Sequence, residues 1–476
     1  MYAVKVVSYM SKKNLPLKQI ILILSLVVIV TTFSLKAIGP LHGEALNTLG
    51  VMVGVLLLLV FDVFPIPITC LLAIAFLAIF RCVGSIGQAF SGYSNHILYF
   101  TLASFGITTA LSQSSLSKRL LSFLIGFSRK SSESILLVLM LCNAILSSIV
   151  SNVAAVLLFM PIVESFLQFY EKEEEKKKTK RAYMMGLMLS AMIGGMMSPA
   201  GSSINLLTLN ALEQYAGKYI GFLQWMGVGI PASLVIILIA YGLIMLVFPP
   251  APMAKEEILV FSNQFQFGKF SAKEIYTLAV ILGAVTLWIL SSWFPRIHIT
   301  VVAVVALVLL FIPQFEILSW DKFIKEMCWE TFFIAGTMIS LANCVVDTGL
   351  SDFLLTLFFP NEVKLPLMAV AALIAAMTFI VMILIPSAPA AISILGPFVI
   401  SFALKNGYNP CVLTMVCGIC VSNCYLLPLD TPAMVIYSQK PFKMFELPRV
   451  TALLQIAVVM VMALLVVPLC RLWHIM

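Results

Sequence analysis

Charge is scarce in this chain. Only 11% of its 476 residues are Asp, Glu, Lys or Arg, while 61% are hydrophobic, and the mean hydropathy is +1.07. A water-soluble globule needs more charged surface than this composition supplies, so the chain reads as an integral membrane protein in a lipid bilayer. Histidine is rarer still. His42, His96, His298 and His474 are the four present, each near a predicted span end, where an interfacial role is expected rather than catalysis. There is no GxxxxGKS/T phosphate loop, no GxSxG elbow and no HExxH pair, which excludes the enzyme classes those motifs define and leaves no ATP-binding loop as an energy source. A membrane enzyme would need nucleophile, base or metal ligands clustered at one depth, and none are found.

The formal charge of +8 is explained by cytoplasmic loops loaded with Lys and Arg and calls for no nucleic-acid partner. Ten cysteines are scattered through apolar segments, and Cys417, Cys420 and Cys424 fall at CxxC-like spacing inside one. They read as small packing residues on a buried helix, with a zinc site or a disulfide as the alternative. The first apolar run follows Lys12, Lys13 and Lys18 without a small-residue cleavage site, so it reads as a retained span and not a signal peptide.

One stretch organises the rest. At residues 146–161, LSSIVSNVAAVLLFMP, Ser151, Asn152 and Val153 interrupt an apolar run. Ser and Asn compete for backbone hydrogen bonds, so a turn is favoured over a continuous helix, giving a hairpin that enters the membrane and turns back. Placing Ser151 on Ser387 aligns SNVAAVLLFMPIVESF with SAPAAISILGPFVISF, matching Ala154 to Ala390, Pro161 to Pro397, Val163 to Val399 and Phe166 to Phe402. The chain therefore looks built twice.

With ~20 residues needed to cross a bilayer, spans are expected at 20–37, 49–64, 66–80 and 89–111, then a surface helix at 117–128 and the first hairpin at 133–169. EKEEEKKKTKR at 171–181 reads as a solvated loop. A fifth span at 182–212 is broken by GGMMSPAGSSIN at 194–205, a sixth follows at 225–247, and a polar connection covers 249–273. The second half repeats the plan. Spans at 274–293, 300–315 and 330–346 precede a surface helix at 350–359, a hairpin at 365–404, a span at 410–437 broken at LPLDTP, and a last span at 450–469. Broken backbone at membrane depth survives only inside protein or beside a cavity.

If the N-terminus is cytoplasmic, only Lys36, Arg81, Lys218, Arg296, Lys364, Lys405 and Arg471 fall outside, a roughly threefold inward bias of basic residues. The C-terminus is then external, and the hairpins open to opposite faces. The expected fold is an all-α polytopic membrane protein with about eleven transmembrane helices plus two re-entrant hairpins in an inverted-topology repeat, an arrangement typical of secondary transporters. Its parts are 1–48, N-terminal tail and first span; 49–248, first repeat; 249–273, cytoplasmic linker; and 274–476, second repeat.

These residues resemble the divalent anion/sodium symporter family, carriers of di- and tricarboxylates or sulfate, over nearly the whole chain. The family's SNT hairpin signature is matched by Ser151-Asn152-Val153, its glycine-rich break by IGGMMSPAGSSIN, and its LPxxTPP-like break by LPLDTPAM; the second hairpin departs, with Ser387-Ala388-Pro389. The resemblance implies that Ser147, Ser151, Asn152 and the backbone near Gly201 hold one sodium ion. It also implies that Asn152, Val153, Ser202, Ser203, Asn205, Ser387, Ala388, Thr431 and Pro432 face a small anionic solute. It further implies symport in the inner (plasma) membrane, an elevator-like movement of the hairpin domain (133–212 and 365–437) against the other spans, and a homodimer.

Ala388 and Pro389 remove oxygen ligands from the usual second cation site, yet Asp430 lies in the second break. An ionised carboxylate at membrane depth is costly unless neutralised. Asp430 is therefore expected to restore cation binding, helped by Ser387, Thr431, Ser422 or Asn423, with proton coupling and simple helix capping as the alternatives. Neither break holds a Lys or Arg, so an anion must rest on helix N-termini, hydroxyls, Asn and bound cations. A proton-coupled carrier or a cation/anion exchanger, of citrate, sulfate or arsenite type, is the runner-up.

Overall fold

The computed structural model describes residues 15–35, 37–38, 41–125, 131–263, 269–294, 296–351, 353, 363–385, 387–426, 430–443 and 446–475. The described residues are overwhelmingly helical, with one two-residue ladder pairing Ala37–Ile38 with Leu41–His42. The first half contains α1 (Leu15–Ser34), α2 (Glu44–Val60), α3 (Ile66–Ile79), α4 (Ile86–Ala89), α5 (His96–Gln113), α6 (Leu116–Ile125), α7 (Ser132–Ser147), α8 (Asn152–Leu167), α9 (Glu173–Gly195), α10 (Ser203–Ala216) and α11 (Phe222–Val247). After a connecting α12 (Lys255–Asn263), the second half contains α13 (Ala272–Leu290), α14 (Ile299–Leu310), α15 (Trp320–Glu326), α16 (Trp329–Asp347), α17 (Leu367–Leu384), α18 (Ala388–Lys405), α19 (Pro410–Ser422), α20 (Thr431–Ser438) and α21 (Pro448–Val461), which runs through a π turn into α22 (Val467–Leu472).

Among the described residues, six helical stretches are long and apolar enough to cross a membrane: 16–34, 222–247, 272–290, 329–347, 388–405 and 448–472. Their exposed faces carry side chains such as Leu24, Leu238, Leu282, Leu404 and Leu464, which suits lipid and not water. The protein is an all-α polytopic membrane protein.

Both hairpins double back, and the contacts at their open ends show it. Tyr183 of α9 donates its hydroxyl to Ser132 O (2.7 Å) at the start of α7, and its ring stacks on Phe166 (4.9 Å between centroids) near the end of α8. Ser132 and Tyr170 hydroxyls also meet at 3.1 Å. In the second hairpin the Tyr408 hydroxyl lies 2.8 Å from the carbonyl oxygens of Val363 and Leu365, while Asn406 Oδ1 accepts from Val363 N (3.0 Å). Arms of 16 residues each in α7 and α8 span about 24 Å at 1.5 Å per residue, short of a full hydrocarbon core.

The arms are exchanged between halves. Return arm α8 packs on α20, beyond the second break, and return arm α18 packs on α10, beyond the first. Broken spans α9/α10 and α19/α20 cross at Gly418, where an added Cβ would stand 2.2 Å from Thr208 Oγ1.

Several local expectations are corrected. The charged run at 171–181 is not a loop: α9 begins at Glu173, with Glu173, Glu174 and Glu175 in its first turn and spaced ion pairs Lys172–Glu175 (3.0 Å) and Lys176–Glu173 (3.9 Å). Glu and Lys are good helix formers, and acidic residues suit a helix N-terminus. The expected span at 89–111 is interrupted by a 3-10 turn at Ser91–Ser94. Gly92 there presses on α16, where an added Cβ would lie 2.0 Å from Gly336 O. The connection at 249–273 contains α12, whose Ile258 and Phe261 are fully buried. Most of the surface helix expected at 350–359, and Leu427 to Leu429 of the second break, lie outside the described residues.

Candidate functional site

At the first hairpin tip, α7 ends at Ser147 and α8 starts at Asn152, with Ser151 as its N-cap accepting from Ala154 N (3.3 Å). The wholly buried Ser147 hydroxyl lies 2.7 Å from Asn152 Oδ1 and 2.7 Å from Ala191 O. The tip is seated on the break in α9/α10 by close backbone approach, which only glycine permits. An added Cβ would stand 2.4 Å from Ala144 O at Gly194, 2.3 Å from Asn152 Oδ1 at Gly195, and 2.6 Å from Gly195 O and 2.9 Å from Ser147 O at Gly201. Ser198 Oγ donates to Ser148 O (2.5 Å) and accepts from Gly201 N (3.1 Å), tying break to tip.

The break must place its freed carbonyls, since an unpaired buried backbone group is costly. Asn205 Nδ2 donates to both Gly195 O and Ser198 O (2.8 Å each). Helix α11 takes two more: Trp225 Nε1 donates to Met196 O (3.0 Å) and Ser233 Oγ to Ile193 O (3.2 Å). Ser202 caps α10 by accepting from Ile204 N (3.3 Å), with Ser203 half-buried beside it. Ser151 N donates to Thr108 Oγ1 of α5 (3.4 Å). Ser147, Ser151, Asn152, Gly201 and Asn205 are thus brought together, with Val153 half-buried in the first turn of α8.

This cluster contains no charged side chain. Carbonyl ends of α7 and α9 and the N–H ends of α8 and α10 meet at it, so one side suits a cation and the other an anion. A donor set of neutral oxygens fits a monovalent cation better than calcium or magnesium, which draw on carboxylates. Asn205 Oδ1, buried without a partner among the described residues, fits the same ligand.

The second break is closed differently. Asn423 Nδ2 donates to Ile419 O (2.7 Å) and approaches Met196 Sδ (3.3 Å), so the two breaks touch. Tyr425 OH donates to Asn423 Oδ1, and Gln455 of α21 donates to Asn423 O (3.1 Å) while accepting from Tyr425 N (3.0 Å). Ser422 Oγ is buried without a partner among the described residues. Half-buried Asp430 is the N-cap of α20, its Oδ1 accepting from Thr431 N (2.9 Å), with Thr431 exposed and Pro432 buried. Ser387 is the N-cap of α18 without a side-chain capping bond, beside buried Ala388. Among the described residues, no hydrogen bond joins Ser387 to Asp430, Ser422 or Asn423; within this expected set Asp430 is bonded to Thr431.

Sequence reasoning missed Thr108, Trp225, Ser233, Tyr425 and Gln455. Thr108, Trp225, Ser233 and Gln455 act across elements distant in sequence, and Tyr425, two residues from Asn423, is an aromatic that hydropathy counts as apolar.

Relatives and solved structures resemble this chain over most of its length. An uncharacterized transporter of Haemophilus influenzae is 24% identical over 453 residues, 91% of this chain and 94% of that one. The sodium-dependent dicarboxylate transporter SdcS of Staphylococcus saprophyticus is 23% identical over 440 residues, 86% of this chain and 83% of that one. Among solved structures, Neisseria gonorrhoeae MtrF, described as illuminating a class of antimetabolite efflux pumps, superposes with a TM-score of 0.52 at 12% identity, over 79% of this chain and 82% of that one, which shows shared fold alone. Residues 17–476 match the family described as the sodium:sulfate symporter transmembrane region, and the chain belongs to that family, as a multi-pass membrane carrier and not an enzyme.

Proposed function

We propose that the protein couples movement of a small divalent anion, of the C4-dicarboxylate class, to sodium. The observation that carries this is the first break itself, where uncharged oxygens and helix carbonyl ends gather beside two helix N-termini. A dianion seated at those N-termini without any Lys or Arg needs a co-bound cation for charge balance, which makes symport the natural cycle. The relative named as a sodium-dependent dicarboxylate transporter supports the substrate class.

In this reading the halves 49–248 and 274–476 are inverted repeats joined by 249–273, the N-terminus is cytoplasmic, and the hairpin body moves elevator-fashion. The bonds from Trp225 and Ser233 to the first break, and from Gln455 to the second, couple α11 and α21 to that body. The moving unit is then larger than 133–212 and 365–437.

Asp430 favours a second reading in part. Among the described residues its carboxylate makes one local capping bond, which leaves it for a proton or second cation as the carrier cycles. The test is uptake of labelled succinate, citrate and sulfate into proteoliposomes, with sodium and proton gradients imposed separately. Sodium-driven uptake of a divalent anion is expected. Uptake driven by protons alone transfers the coupling to Asp430, and transport of none of the three under either gradient discards the assignment.

A further inference from the structure

Asn205 was expected to face the solute, yet it is wholly buried beneath the first break. Its amide orientation is fixed by what surrounds it. Nδ2 donates to Gly195 O and Ser198 O at 2.8 Å, and a flipped amide would aim Oδ1 at two acceptor carbonyls, so the hydrogen-bond network assigns it unambiguously. Oδ1 is then left buried with no partner among the described residues. Neighbouring hydroxyls cannot supply a proton, because Ser147 Oγ is committed between Asn152 Oδ1 and Ala191 O, and Ser198 Oγ donates to Ser148 O. At the same break the carbonyl oxygens of Gly195 and Ser147 crowd at Gly201. A buried amide oxygen left over beside clustered carbonyls is the chemistry of a cation shell.

We propose that Asn205 Oδ1 is a ligand of the coupling cation at the first break, one residue performing two tasks: its nitrogen straps the break and its oxygen completes the ion's shell. This rests on the sodium reading above. The ion would lie behind the tip, between the carbonyl ends of α7 and α9, leaving the N–H ends of α8 and α10 for the anion.

The test is sodium-dependent thermal stabilisation of the purified full-length protein, titrating sodium chloride against choline chloride with no solute present. N205D keeps an oxygen at this position but loses the amide donor, whereas N205L loses both. For a ligand, N205D retains the sodium response at a midpoint no higher than the unsubstituted chain, while N205L raises the midpoint by on the order of tenfold or more, as expected for one lost ligating oxygen. Equal loss in the two variants overturns the proposal, since it marks a strap alone. Equal retention also overturns it, since water then satisfies Oδ1. If N205L does not fold, N205D decides alone, and a tenfold rise in its midpoint counts against the ligand. No sodium response in the unsubstituted protein overturns the sodium reading and this assignment together.

Discussion

The two helix breaks occupy matching places in the two halves but spend their oxygens differently. At the first, glycines bring backbone carbonyls together, and one amide oxygen is left over. At the second, Tyr425 holds the corresponding kind of oxygen on Asn423, and Gln455 fastens the adjoining backbone. In the proposed reading the first break receives the ligand, while among the described residues of the second Asn423 is held within the protein, Ser422 Oγ is left over and Asp430 caps the following helix. A polar residue at a helix break is therefore no site by itself; what matters is whether its partners are already inside the protein.

That contrast can be broken in graded steps. The largest effect is expected from Gly201→Ala, because its Cβ would meet two backbone oxygens at 2.6 and 2.9 Å. Overpacking of about 1–3 kcal/mol should lower sodium affinity by ~10–100-fold in a sodium titration of succinate uptake. Next comes Asn152→Ala, which strips the oxygen that Ser147 meets at 2.7 Å and should raise the sodium midpoint by about tenfold.

Asp430→Asn keeps a competent N-cap, since Asn accepts from the helix backbone as well as Asp. The fold should persist while coupled uptake falls by about tenfold at most, and unchanged uptake would reduce Asp430 to a cap. The smallest effect belongs to Tyr425→Phe. It leaves Asn423 Oδ1 unpaired and should cost about 1–2 kcal/mol in thermal stability, with the sodium midpoint unmoved.

Much of the frame was legible because polar residues are so conspicuous in an apolar chain. Ser151-Asn152 and the glycine-serine run at 194–205 announced a tip and a break, and the match of Ser151 to Ser387 announced the second tip. The start of α9 was not legible, since a charged run reads alike as loop or as exposed helix until its spaced Glu–Lys pairs are seen. Nor could the sequence show that Asn423 is spent. That depends on Gln455, 32 residues on, and on a tyrosine that hydropathy counts as apolar. The bracing of the first break by Trp225 was hidden for the same reason: a tertiary hydrogen bond leaves no periodic trace.

Equilibrium binding of radiolabelled sodium to the purified protein tests the central claim most directly, comparing Ser147→Ala with Asp430→Asn. If the first break holds the coupling ion, Ser147→Ala raises the sodium midpoint by about tenfold while Asp430→Asn moves it less than about threefold. The reverse order, with Ser147→Ala silent and Asp430→Asn abolishing sodium binding, would contradict the account.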